Sequence, residues 1–299
     1  MFRFIHISDI HLAPLPQLSW RQLLGKRMTA YLNWKFNRKD EMQKSTFDVV
    51  AQDFLKQCAD HIGISGDIVN LALDAEFSRA RKQLLKLGDT LDISLVFGNH
   101  DVYVTNAFTR ACQAFLPWIV GEKARKDSFF PYMRIRGLAA IIGASSAIVT
   151  PPFFAAGYLN KQQTQDLGFL LQRAEKQGLF RIVMIHHPPL FHAAGWSKRL
   201  WGIRNFQRII SAYGAELVLH GHTHLPTLSF IEGKQGWVPV VGVASASQDF
   251  GRHSSPAGYN LFEIGRKKHA KGWYCCLTRR ALTDNKGHIA TFVKELLHE

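Results

Sequence analysis

The chain has four cysteines in 299 residues, none of them in a CxxC pair. That argues against a thiolate metal site and against a disulfide framework, so reduced thiols are expected. No uninterrupted apolar run reaches about 18 residues, so no helix is expected to span a membrane. The opening MFRFIHISDI lacks the basic head, long apolar stretch and small-residue cleavage site of a secretory signal. A cytoplasmic protein is therefore expected. Internal repeats and low-complexity linkers are absent as well. With 46% hydrophobic residues, one domain over 1–299 is expected. Acid is scarce: 23 Asp and Glu stand against 37 Lys and Arg, a net charge of +14. The excess is concentrated in residues 1–40, 121–136, 196–208 and 265–280, which implies a positive surface facing an anionic partner.

What is present is a repeated local pattern. Apolar runs at Phe2–Ile7, His61–Ser65, Ile93–Phe97, Arg181–Ile185 and 215–220 read as buried strands, and each ends in a short loop dense in Asp, Asn and His. Helical periodicity lies between them, over 40–58, 74–87, 160–177 and 205–213, so a mostly parallel sheet is expected. Residues 138–150 read as strand, and 226–280 as a strand-rich region forming a second sheet.

Loops at the carboxyl ends of sheet strands are where open α/β sheets bind ligands. Seven of the 14 histidines lie in them: His11, His100, His186, His187, His220, His222 and His224. A lone buried histidine, such as His6, His61 or His288, is more often a hydrogen-bonded core residue. The reading changes when Asp9, His11, Asp67, Asn99, His186, His222 and His224 all fall at loop mouths of one sheet. Imidazoles and carboxylates suit borderline-to-hard cations such as Mn, Fe, Zn or Mg. Residues i and i+2 of an extended segment project the same way, about 6.5–7 Å apart, so Asp9/His11 and His222/His224 each present two donors to one place. Two metals about 3.5–4 Å apart can clamp an in-line phosphoryl displacement.

These segments, D-x-H (Asp9, His11), G-D (Gly66, Asp67), G-N-H-D (Gly98–Asp101), H-H-P-P (His186–Pro189) and G-H-x-H (Gly221–His224), occur in order. The set resembles the motifs of the calcineurin-like metallophosphoesterases. The resemblance implies two mixed β-sheets packed as a sandwich flanked by helices, and a metal-dependent phosphoester or pyrophosphate hydrolase acting on a phosphorylated substrate. It implies two divalent ions, Mn being the expected one in vitro. Asp9, His11 and His224 would hold one ion and Asn99, His186 and His222 the other, with Asp67 bridging. His100 would act as the catalytic histidine, oriented by Asp101, and His187 would contact substrate or support the ligands. Arg252 and His253, in a loop the family places near the metals, would bind phosphate.

Residues 19–39 form a basic amphipathic insertion after the first strand. Trp20, Leu23, Leu24, Met28, Tyr31, Leu32 and Phe36 recur near helical spacing among Arg21, Lys26, Arg27, Lys35, Arg38 and Lys39. Such a segment either docks on an anionic membrane surface or covers the domain's own core. Trp196-Ser-Lys-Arg-Leu-Trp201 is a second basic-aromatic stretch, suited to a lid. The arrangement is similar to relatives that cleave lipid- or UDP-linked pyrophosphates. A soluble cyclic-nucleotide or small-molecule phosphodiesterase is the alternative. A nuclease would match the charge, but no nucleic-acid module is recognisable. A relict, non-enzymatic site would require a missing ligand, and none is missing.

Overall fold

The computed structural model describes residues 1–23, 25–34, 44–251, 255–267 and 272–298. The first sheet runs, edge to edge, β15 (Ile289–His298), β14 (Trp273–Leu282), β13 (Gly258–Arg266), β1 (Phe2–Ile7), β2 (His61–Ile64) and β3 (Ile93–Leu95). Strands β1, β2 and β3 are parallel, while β13 lies antiparallel to β1 with Phe2 opposite Ile264. The second sheet runs β11 (Leu228–Gly233), β12 (Gly236–Gly242), β10 (Leu217–His220), β8 (Phe180–Met184), β6 (Ala139–Gly143), β5 (Tyr132–Arg136) and β4 (Glu122–Lys123). Its central strands β6, β8, β10 and β12 are parallel. A short parallel ribbon pairs β7 (Gly157–Tyr158) with β9 (Leu200–Trp201).

The central strands read as continuous apolar runs because both of their faces are covered. On β8, Ile182 and Met184 join Phe4, Ile64 and Phe262 of the first sheet in the inter-sheet core. The alternate residues Val183 and Ile185 pack instead with Leu167, Leu170 and Phe206 of the outer helices α6 (Lys161–Lys176) and α7 (Ile203–Tyr213). The period-two pleat thus divides one strand between two cores. Outside the first sheet lies α2 (Lys44–Leu55), whose Phe54 ring meets Tyr259 of β13 edge-on at 5.8 Å. Helix α6 starts where the sequence suggests, with Asn160 Oδ1 accepting from Gln163 N at 2.7 Å.

The expectation that residues 226–280 build the second sheet needs correcting. Strands β11 and β12 join that sheet, but β13 and β14 return to the first, and β15 extends it beyond residue 280. Of residues 138–150, only Ala139–Gly143 is strand, and residues 144–150 are loop. Among its described residues the insertion holds a 3-10 turn, Trp20–Leu23, followed by α1 (Lys26–Asn33). Leu24, Lys35, Phe36, Arg38 and Lys39 lie outside the described residues.

One side chain ties the sheets together at the β3 edge. The buried Tyr132 hydroxyl donates to Leu95 O at 2.7 Å and accepts from Leu95 N at 3.0 Å, satisfying the outward groups of an edge strand. Tyr132→Phe should lower unfolding free energy by about 1–3 kcal/mol, since both Leu95 groups lose their partner in a dry place. Denaturant titration checks this, with the m-value expected to stay as in the wild type.

Candidate metal centre

Because β1, β2 and β3 are parallel, as are β8 and β10, five loops emerge on one edge of the sandwich. Backbone bonds stitch them: Asp9 N to Gly66 O at 2.9 Å, His11 N to Asp67 O at 3.0 Å, and Gly221 N to His186 O at 3.1 Å. Two side-chain bonds cross between sheets. His222 N donates to Asp9 Oδ2 at 2.9 Å, and His186 Nδ1 donates to Ser65 O at 2.7 Å. Gly221 makes the crossing possible, since a Cβ there would collide with Ser8 Oγ. Five loop residues, Asp9, His11, Asp67, His222 and His224, adopt positive φ between 43° and 67°. Left-handed backbone is costly for residues with a Cβ and persists where surroundings impose it.

The seven candidate ligands converge. Asp9, His11 and His224 place donor atoms within 4.8 Å of one another, as do Asp9, Asp67 and His186. His11 Nε2 lies 3.9 Å from Asp9 Oδ1 and 3.8 Å from Asp67 Oδ2, while His186 Nε2 lies 3.4 Å from the same Asp67 oxygen. Asp67 therefore stands between the two groups of donors. Asn99 Oδ1 is 3.1 Å from His222 Nδ1. Asp9 Oδ1, His186 Nε2 and His222 Nε2 are buried with no hydrogen-bond partner. Polar atoms are seldom left so in a protein interior, and a cation answers all three at once. The residues present therefore fit a divalent metal pair.

The electrostatics agree. Burial alone would raise the Asp67 carboxyl, but His186, His100 and His11 hold it well below the usual carboxylate range. Asp9 is likewise depressed against its burial, chiefly by His224. His186 is raised to about 9 despite burial, because Asp67 and Asp9 face it. These carboxylates require positive charge beside them.

One expected contact is replaced by another. The carboxylate of Asp101 bonds backbone N–H groups rather than the His100 ring. Its Oδ2 accepts from Asp67 N at 2.8 Å and Gly98 N at 2.9 Å, and its Oδ1 from Ile68 N at 2.9 Å and Val69 N at 3.1 Å. It braces the loops after β2 and β3 against each other. The His100 ring is held by Asn70 O, 2.7 Å from Nδ1, and stacks on Tyr103 at 5.4 Å. His187 is fully buried, packed against His222 with ring centroids 4.3 Å apart, as the supporting role of its two expected ones would have it. Its Nδ1 accepts from Ser146 Oγ at 2.8 Å and its Nε2 donates to Ala155 O at 3.0 Å, with burial and then His186 pulling it down to about 3. A Cβ on Gly157 would collide with that ring. Arg252 and His253 lie outside the described residues. The start of their loop is anchored, with Ser245 Oγ donating to Asp9 O at 2.7 Å. His6 and His61 are core residues, bonded to Ser65 and Ser94 hydroxyls.

Asp101→Asn turns an NH2 group toward two of those backbone donors. A loss of about 1.5–3 kcal/mol in stability is expected, with weaker metal retention. Unchanged denaturation and metal content would show that the carboxylate does not brace the loops.

The calcineurin-like phosphoesterase family model matches residues 2–226. No curated protein sequence matches the chain significantly. Among solved structures, a dimetal phosphatase from Danio rerio superposes with a TM-score of 0.64 at 12% identity, covering 97% of this chain and 98% of that one. A purple acid phosphatase from yellow lupin (Lupinus luteus) gives 0.56 at 12% identity, covering 98% of this chain and 53% of that one. A 5'-nucleotidase precursor from Thermus thermophilus gives 0.50 at 13%, covering 99% and 54%. This chain thus spans about half the length of the latter two. At such identities the likeness shows the fold, and the family match carries the assignment. The chain belongs to the calcineurin-like phosphoesterase family, as a metal-dependent phosphoester hydrolase whose family works with a binuclear divalent-metal centre.

Proposed function

We propose that the protein hydrolyses a phosphodiester or pyrophosphate bond in a lipid- or UDP-linked substrate at the cytoplasmic face of a membrane. The observation that carries the membrane reading is an aromatic rim beside the metal loops. Phe153 is 85% exposed, Trp20 69% and Trp196 58%, and the Trp196 ring contacts Phe154 and Trp201 at 5.5 and 5.7 Å. Exposed Trp and Phe beside basic residues, here Lys198 and Arg204, suit a headgroup interface. The rim is joined to the site through Ala155, whose carbonyl holds His187, and through Lys26, which donates to Thr150 Oγ1 at 2.7 Å. Among the described residues no helix is long and apolar enough to cross a bilayer, which fits peripheral docking.

The insertion contributes differently from its sequence pattern. Arg27 donates to Leu71 O and Ala72 O, and Lys26 lies over the Tyr103 ring at 4.2 Å. These two cations fasten the segment to the domain, and Tyr31 packs partly on the core. Among its described residues Trp20, Met28 and Leu32 are the exposed large apolar groups.

In this reading Asp9, His11 and His224 would hold one ion and Asn99, His186 and His222 the other, with Asp67 shared between them. Bound there, two divalent ions supply charge neutralisation and an activated water for in-line displacement. The chain's own residues do the rest. Asp67 and Asp9 hold their places through crossed backbone bonds. His100, with Nδ1 turned to Asn70 O, exchanges a proton at Nε2 with a phosphoryl or leaving-group oxygen.

Two measurements test this. EDTA should abolish hydrolysis of bis-p-nitrophenyl phosphate, and Mn should restore it. Asp67→Ala should lose metal and activity together, while His100→Ala should keep metal and lose about 10²–10⁴-fold in turnover. Equal metal loss in both variants would sink the division of roles. For docking, combining Trp20→Ala, Phe153→Ala and Trp196→Ala should cut binding to anionic vesicles by at least about tenfold. Unchanged vesicle binding removes the membrane from the reading. Cyclic nucleotides turned over faster than a UDP-lipid would favour a soluble phosphodiesterase.

A further inference from the structure

A groove of about 550 Å³ opens beside the metal loops, within the range of a small-molecule site. Both of its walls hang from those loops. On one side Ser145 precedes Ser146, whose hydroxyl holds His187, and the His187 ring lies 4.3 Å from that of His222. On the other, Phe108 and Phe130 pack on Phe97, which immediately precedes the Gly98–Asp101 segment.

The lining is divided by chemistry. Phe108, Phe129 and Phe130 make an aromatic wall. Ser145 also lines the groove, 5% exposed, with its Oγ closed to solvent and without a hydrogen-bond partner. The position of Ser145 is fixed, since the Gln163 amide accepts from its N at 2.8 Å and donates to its O at 2.9 Å. A hydroxyl left unanswered just behind a groove wall calls for a polar partner, which a small shift of the wall would let a ligand supply. Around it stand partly committed groups. Asn160 uses Oδ1 to cap α6, which leaves its Nδ2 as a donor. Gln162 Nε2 donates to Asp166 Oδ1 at 3.1 Å, which leaves Gln162 Oε1 and Asp166 Oδ2 as acceptors. Arg125 stands at the mouth, in the basic stretch 121–136.

We propose that this groove is a nucleoside subsite, taking the base and ribose of a nucleotide-containing phosphoester whose phosphorus lies at the metal loops. The aromatic wall suits the face of a base, and Ser145 with Asn160 suits its polar edge. Two adjacent acceptors at Gln162 and Asp166 match the vicinal hydroxyls of ribose. The proposal deepens the phosphohydrolase reading above, which supplies the phosphate position.

The test uses the full chain and calorimetric titration with uridine and adenosine, neither of which carries phosphate, with inorganic phosphate as the probe of the metal loops. The wild type should bind a nucleoside. Phe129→Ala and Asp166→Ala should each weaken that binding about tenfold, while phosphate affinity stays unchanged. Ser145→Ala, checked for folding by thermal unfolding, should weaken it in the same direction. No nucleoside binding by the wild type, or binding that all three variants leave intact, overturns the proposal. Competition by ribose 5-phosphate as strong as that by uridine monophosphate overturns it too, because a base would then add nothing. Nucleoside binding without any phosphoester hydrolysis would remove the proposed function and leave the subsite standing. Hydrolysis without nucleoside binding does the reverse.

Discussion

Two carboxylates, Asp9 and Asp67, are buried in the seam between the sheets, and the site is organised around that fact. An ionised carboxylate taken out of water must be compensated or neutralised. Here neutralisation is blocked, because the surrounding imidazoles hold both groups ionised. Asp9 Oδ1 and the Nε2 atoms of His186 and His222 make no hydrogen bond. A pair of divalent cations resolves the charge and the unmet lone pairs together. The loops must then hold seven donors in a space that would otherwise push the acids apart.

The fold meets that demand by pinning backbone rather than by packing side chains. Asp101 gathers four N–H groups from two loops, and Ser245 fixes the carbonyl of Asp9. Positive φ at five loop residues turns each side chain inward where an extended backbone would send it along the strand. The strain is local, and the hydrogen bonds that oppose it cross from one sheet to the other. Stability of the sandwich and geometry of the site are therefore one problem. Loosening the β2–β3 junction displaces Asp67 as surely as altering Asp67 itself.

The strand-end motifs were legible because each is contiguous and its strand is apolar throughout, so Asp9, Asp67, Asn99 and the histidines could be placed without coordinates. What was not legible depends on partners far away in the chain. Alternation marks Tyr259 and Trp273 as strand residues but does not say which sheet receives them. The His186–His187 doublet is symmetrical locally. The two differ because Ser146 and Ala155 take His187, while Ser65 turns His186 toward Asp67. Asp101 binds only backbone in the bonds that fix it, and backbone leaves no signature in sequence. Lys26 and Arg27 read as part of a basic amphipathic segment without named partners, yet their acceptors are Thr150 and two carbonyls at 71 and 72. The groove residues come from four separate segments, none with a motif.

The pairing of β1 with β13 has a consequence for how the molecule is made. Residues 2–6 lie against residues 260–264, so during synthesis β1 finds one neighbour within sixty residues and the other only about 250 residues later. Until then its outer edge is unpaired and open to wrong partners. The Asp9 loop waits as well, since residue 245, which clamps its carbonyl, is also late. Closing so long a loop is slow, and it comes after local elements have formed. A nascent chain would carry the first donors of its metal centre through more than two hundred residues of synthesis without a finished cage to put them in. Assembly of the centre is thus tied to the arrival of residue 245.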